Sequence, residues 1–178
     1  MRKFFWTAVI MGLTVVGFWS CGQRQDPNVV RMFALTEKGT GASLGTVRVE
    51  DTPHGLLVTP DLKGLPPGLR GFHVHTEGSC AAGEKDGKNV PGLAAGGHYD
   101  PAGSNTHKGP YGGGHLGDLP ALYVDAEGKA TLPIMAPRLK LSDAKGRALV
   151  IHAGGDNYSD KPEMGGGGER IACGVVQD

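Results

Sequence analysis

The segment Gly71-Phe72-His73-Val74-His75 carries the first chemical signal of the chain. On an extended strand alternate side chains share a face, so His73 and His75 stand roughly 7 Å apart on one side, while Phe72 and Val74 point to the other side and into a core. Two imidazoles so placed can chelate a metal. A lone His-x-His is weak, because two exposed strand histidines give the same string. The rest of the chain changes that balance. His98 lies in Gly96-Gly97-His98-Tyr99-Asp100-Pro101, His107 in Asn105-Thr106-His107-Lys108-Gly109-Pro110, and His115 and Asp118 share His115-Leu116-Gly117-Asp118-Leu119. His152 closes the apolar run that starts at Ala148, and only His54, between Pro53 and Gly55 in a turn-like setting, lacks such a context. Six histidines and an aspartate exceed one tetrahedral site. They suit two ions, one held by imidazoles alone and one by imidazoles and a carboxylate, which fits copper beside zinc by ligand preference.

The elements that must position these residues are short. The chain of 178 residues has 31 glycines and 12 prolines, together twice the ordinary usage of roughly 12%, which excludes a helical bundle. Val, Leu and Ile recur in brief runs, so the sequence reads as a loop-rich globular domain and not as disorder. Eight runs have strand character: Val29–Leu35, Leu44–Val49, Gly55–Leu62, Arg70–His75, Ala121–Val124, Ala130–Ala136, Ala148–Ala153 and Arg170–Val176. This pattern predicts an all-β antiparallel sandwich or barrel. Two stretches break the spacing, residues 76–119 and 154–169. The first is longer than a structureless loop should be in a compact domain, and bound metal is the economical way to hold it.

The first twenty residues hold Arg2 and Lys3, then no charge from Phe4 to Ser20. A charged start, an apolar stretch and a small residue before a break predict a secretory signal peptide over residues 1–20. Cys21 directly after the break resembles a bacterial lipoprotein signal and is the expected lipidation site. Residues 21–28 read as a flexible linker and residues 29–178 as one domain, placed in the periplasm or cell envelope. With Cys21 acylated, Cys80 and Cys173 are left to form one disulfide in an oxidising compartment. Lys plus Arg equals Asp plus Glu at 18 each, and no basic block occurs, so nucleic acid is excluded as a partner. Removal of residues 1–20 leaves 16 basic and 18 acidic groups, a net charge of −2.

The ordered series His-Val-His, Gly-Gly-His-Tyr-Asp-Pro, His-Lys-Gly-Pro, His-Leu-Gly-Asp-Leu, Val-Ile-His-Ala-Gly-Gly-Asp-Asn and Gly-Gly-Gly-Gly-Glu-Arg-Ile-Ala-Cys-Gly-Val-Val resembles the copper/zinc superoxide dismutases of the bacterial, exported type, from about Val29 to the C-terminus. The resemblance implies a flattened eight-stranded antiparallel Greek-key β-barrel with the metal site outside it under two long loops. It implies copper on His73, His75, His98 and His152, and zinc on His98, His107, His115 and Asp118, with His98 shared as a bridging imidazolate. Asp156 matches an acid that links ligands of the two sites, although Asp160 is close enough in sequence to compete. Cys80 and Cys173 match an intrachain disulfide. Arg170 matches the arginine that attracts and orients superoxide, and Lys85, Lys88 and Lys108 are further candidate steering charges. Catalysis would rest on copper cycling by one electron, with His98 carrying a proton. The family includes monomers and homodimers, and no motif here chooses between them.

Competing readings explain less. A three-histidine zinc hydrolase or hydratase built on His73, His75 and His98 leaves four further ligands without a role. The His-Glu-x-x-His helix motif is absent, and the glycines before Arg170 lack the Gly-Lys-Ser/Thr of a phosphate loop. A copper- and zinc-binding protein without turnover would be expected to lack Arg170 or a copper ligand, and all are present.

Overall fold

The computed structural model describes Met1 and residues 26–178; the expected signal peptide and Cys21 lie outside the described residues. Eleven strands form in chain order: β1 (Val29–Thr36), β2 (Gly39–Thr52), β3 (Gly55–Leu62), β4 (Gly68–Arg70), β5 (Phe72–His75), β6 (Gly83–Lys85), β7 (Lys88–Val90), β8 (Leu122–Val124), β9 (Ile134–Ala136), β10 (Ala148–His152) and β11 (Arg170–Val175). One helical turn, α1 (Leu141–Ala144), lies between β9 and β10.

Seven strands form one antiparallel sheet in the order β5-β10-β11-β1-β2-β3-β9, while β4 pairs with β8 and β6 with β7. The sheet curls on itself. Leu62 bridges Ala130, and a tight turn, with the Asp125 N–H donating to the Lys129 carbonyl, joins β8 to that bridge. The barrel is thereby closed, and the crossings from β3 to β4 and from β9 to β10 make the Greek key. All eight expected strand runs occur. The run Arg70–His75 is one bent strand, broken at Gly71, so that its first half pairs with β8 and its second with β10. A Cβ at Gly71 would lie 3.2 Å from the His73 ring and 3.4 Å from the His152 Cβ, which leaves room for glycine at this corner. The run Ala130–Ala136 shrinks to β9, and β6–β7 is an extra hairpin within the long first loop.

Side-chain alternation explains where the site lies. Phe72 and Val74 of β5 and Leu149 and Ile151 of β10 enter the main core with Val30, Met32, Val47 and Val58; each such side chain stabilises the fold by about 1.5–3 kcal/mol on burial. Their neighbours face outward. His73 pairs with Val150 and His75 with Ala148 across the β5–β10 ladder, so His73, His75 and His152 share the outer face of the barrel. Every residue of these two strands is nevertheless buried. The cover is residues 76–119 and 153–169, under which Ala95, Ala148, Val150 and Cys173 form a second small core. A disulfide between Cys80 and Cys173 ties the first of these loops to β11.

Candidate metal centre

Six histidines and one aspartate meet beneath the two loops, all buried. The first group is His73, His75, His98 and His152. Hydrogen bonds fix how each ring is turned. A carbonyl can only accept, so His75 Nδ1–H donates to Gly96 O at 2.9 Å and His152 Nδ1–H to Gly168 O at 3.2 Å. Both Nε2 atoms are therefore bare, and they face each other at 3.3 Å. Two lone pairs so close repel unless a cation lies between them. His73 Nε2–H donates to Asp156 Oδ2 at 2.8 Å, which leaves its Nδ1 bare, buried and without a partner.

The second group centres on Asp118. Its Oδ1 lies 3.1 Å from Nδ1 of His98, 3.1 Å from Nδ1 of His107 and 3.4 Å from Nδ1 of His115. With metal–ligand bonds of about 2.0–2.1 Å, the edges of a tetrahedron are roughly 3.3–3.4 Å, so these separations are those of one four-coordinate shell. The Nδ1 atoms of His107 and His115 and the Oδ2 of Asp118 have no hydrogen-bond partner. His73 also approaches this group, but its ring is stacked on His98 with centroids 3.8 Å apart and its Nε2 is already engaged by Asp156. His98 is the one ring, among the described residues, that lies within 6 Å of the other five, at 3.8–5.8 Å between centroids. With Nδ1 in the second group, Nε2 is left for the first.

Two acids hold His107. Asp156 accepts from Nε2–H of His107 at 2.7 Å as well as from His73, so one buried carboxylate joins the two groups. Asp160 accepts instead from the His107 backbone N–H at 2.7 Å. Residues near in sequence thus have distinct positions, one on the rings and one on the main chain. Arg170, at the start of β11, donates to the carbonyls of Gly92 and Gly96, and Gly96 O also receives His75 Nδ1–H. The arginine lines a cleft of about 360 Å³ with His75, His98, His152, Lys85, Met164 and Glu169. Lys88 belongs to a neighbouring cavity, Lys108 to neither, and His54 is exposed in the β2–β3 turn.

The electrostatics of the site follow from burial and from the two acids. Burial lowers His73 to about 3 and His152 to about 4, and it also pulls down His75 and His98. Burial opposes the charge of His107 as well, but contacts with Asp118 and Asp156 outweigh it and raise the ring to about 9. Burial favours the neutral acids, yet the His107 and His98 contacts hold Asp118, and the His107 and His73 contacts hold Asp156, well below the ordinary carboxylate range. Neutral imidazoles, as at His73, His75, His98 and His152, and ionised carboxylates are the forms that bind metal, whereas His107 would release a proton on binding.

Sequence comparison accords with this geometry. The family model for copper/zinc superoxide dismutase (SODC) matches residues 43–176. The chain belongs to the copper/zinc superoxide dismutase family. It is 54% identical over 172 residues to superoxide dismutase [Cu-Zn] 1 of Salmonella typhimurium, with 94% of this chain and 97% of the relative covered. With superoxide dismutase [Cu-Zn] of Escherichia coli K12 it shares 49% over 179 residues, covering 99% and 100%. Its fold matches the Cu/Zn superoxide dismutase from Brucella abortus with a TM-score of 0.82 at 53% identity, covering 84% of this chain and 98% of that one. A SOD-like protein from Bacillus subtilis matches with a TM-score of 0.65 at 29% identity, covering 84% and 97% of the two chains. The barrel thus persists as identity falls. Sequence reading did not single out Gly96, whose carbonyl joins Arg170 to His75; nothing distinguishes a main-chain acceptor in a string of letters.

Proposed function

We propose that copper is held by His73 Nδ1, His75 Nε2, His98 Nε2 and His152 Nε2, and zinc by the Nδ1 atoms of His98, His107 and His115 with Asp118 Oδ1, in a copper/zinc superoxide dismutase that converts two superoxide anions and two protons into dioxygen and hydrogen peroxide. The observation that carries the assignment is the set of bare, buried nitrogens aimed at two common points, with every other ring nitrogen except those of His98 and His115 bonded to a carbonyl or a carboxylate. Copper supplies one-electron exchange with superoxide in both directions, which zinc does not. Arg170 draws the anion into the cleft, and its guanidinium, pinned by Gly92 and Gly96, keeps a permanent positive charge beside the first group. With zinc held at Nδ1, Nε2 of His98 would be the ring atom able to take up a proton from solvent when free of copper and give it to the reduced dioxygen. Asp156 keeps His73 and His107 in the tautomers that leave Nδ1 free.

The same reading includes export: a signal peptide over residues 1–20, lipidation of Cys21, a linker to residue 28 and a domain from 29 to 178 in the periplasm or cell envelope. The bacterial origin of the relatives supports it. Elemental analysis and superoxide consumption on one sample test the main assignment. The wild type is expected to hold one copper and one zinc per chain, His152→Ala to lose copper and turnover, and His98→Ala to impair both sites. Wild-type stoichiometry in His98→Ala would sink the shared ligand.

A further inference from the structure

Arg138 lies outside both metal groups, two residues after β9, yet its guanidinium reaches the loop that carries His115. Nε donates to Pro110 O at 3.0 Å, Nη1 to Gly114 O at 3.1 Å, and Nη2 to Gly109 O at 3.2 Å and to His115 O at 2.5 Å. Among the described residues no carboxylate stands within ion-pair distance of it, so its partners are main-chain carbonyls of a single segment, 109–115. That segment is Gly-Pro-Tyr-Gly-Gly-Gly-His, with four glycines and no strand. Such a chain has much conformational freedom to lose, and its converging carbonyls require donors. A planar fork with five N–H groups supplies them from one side chain.

The other zinc-group residues have independent supports. His107 is gripped by Asp156 and Asp160, and His98 and Asp118 form backbone bridges to β5. His115 is held more loosely: its N–H donates to Thr106 O at 3.0 Å, and its carbonyl accepts from Arg138 and, at 3.4 Å, from the Asp118 N–H.

We propose that Arg138 is a positioning residue for the zinc site: it gathers the carbonyls of residues 109–115 around its guanidinium and thereby sets His115 in place before the metal binds. The inference rests on the assignment of zinc to His98, His107, His115 and Asp118, and it adds a cationic anchor that remains when zinc is gone.

Two measurements test it, both on the full chain. In the metal-free wild type, hydrogen exchange of amides in residues 109–116 should already be slow relative to the exposed β6–β7 turn. Exchange as fast as in that turn would overturn the anchor whatever the variants do. Cobalt(II), a spectroscopic stand-in for zinc, is then titrated into the wild type, Arg138→Gln, Arg138→Lys and His115→Ala with a competing chelator. Arg138→Gln should weaken cobalt binding at least tenfold, speed exchange in 109–116 and dim the tetrahedral d–d bands, with copper retention unchanged. Arg138→Lys should recover part of the affinity, because an ammonium reaches some of the carbonyls. If His115→Ala weakens cobalt but Arg138→Gln does not, Arg138 is a bystander. If His115→Ala leaves cobalt binding intact, the zinc assignment itself fails.

Discussion

Replacing Asp156 by Asn removes almost no volume and should nonetheless damage one of the two metal sites. The carboxylate accepts from the two rings, 2.8 Å from His73 Nε2–H at Oδ2 and 2.7 Å from His107 Nε2–H at Oδ1, where the Tyr158 N–H also donates at 2.8 Å, and only a residue with two acceptor atoms can serve both rings. An amide has one acceptor. Its NH2 must face the second ring, which then has to turn its proton to Nδ1, the atom that points at the metal. Both partners are fully buried, so water does not replace the lost bond. A hydrogen bond to a charged group contributes about 1.5–3 kcal/mol, which corresponds to a loss of roughly 10- to 150-fold in affinity at whichever site carries the mismatched ring, in line with the effect of about 10- to 100-fold usual for such partners of ligands. Chelator competition with copper and zinc, read by elemental analysis, measures it for each metal. Asp160→Asn is the control, since Asp160 meets only the backbone of His107 and should cost much less. Retention of both metals within threefold of wild type in Asp156→Asn would refute the tautomer argument.

Acidification should destabilise the metal-free protein. His73 and His152, held to about 3 and about 4, stay neutral while the unfolded chain takes up protons below its ordinary value of about 6.5, a loss of about 2 kcal/mol each by pH 5. His107, raised to about 9, acts in the opposite sense and adds about 2 kcal/mol between pH 8 and 5, so with His75 and His98 also lowered the net effect is loss. Urea unfolding at pH 8 and 5 reads it, and a flat or rising stability would contradict the balance. Reduction of Cys80–Cys173, a link across 93 positions, removes up to about 4–5 kcal/mol in the chain-entropy account; it should lower both Tm and metal retention, and a thiol titration of the denatured, unreduced protein should find neither sulfur free. Arg170→Glu should cut the second-order rate with superoxide and flatten or reverse its dependence on salt between about 0.01 and 0.15 M, over which screening shortens from about 30 to 8 Å. Unchanged rate and slope would move the steering charge to Lys85 in the same cleft.

Much of this was legible in the residues, and what was not has physical reasons. His73 and His75 could be set on one face because strand alternation is strict, and the core positions of Phe72 and Val74 followed from the same rule. The break at Gly71 was not, since a corner where one strand changes partners depends on what β8 and β10 offer it. The β6–β7 hairpin did leave a signal. Asp86-Gly87 is a strong two-residue turn, with both residues at positive φ, 53° and 73°, but it lies amid polar residues that lack the alternation of a buried strand. Asp156 and Asp160 could not be separated by spacing, because a loop with a left-handed turn at Tyr158 (φ 58°) sends one carboxylate inward to the rings and the other to a backbone amide. Arg138 left no trace, its partners being carbonyls common to all residues.

The place of β11 in the sheet sets an order in time. The sheet runs β5-β10-β11-β1-β2-β3-β9, so the C-terminal strand is the seam between the pair that carries His73, His75 and His152 and the rest of the barrel. It also brings Cys173 and Arg170. Until β11 is in place, β10 has an open edge, the first loop has no tether and the two metal groups have no floor in common. Elements completed earlier can collapse as the chain emerges, but this centre cannot be assembled stepwise from the N-terminus. Metal acquisition thus depends on β11: a molecule without that strand offers scattered histidines, and one with it in place offers two sites.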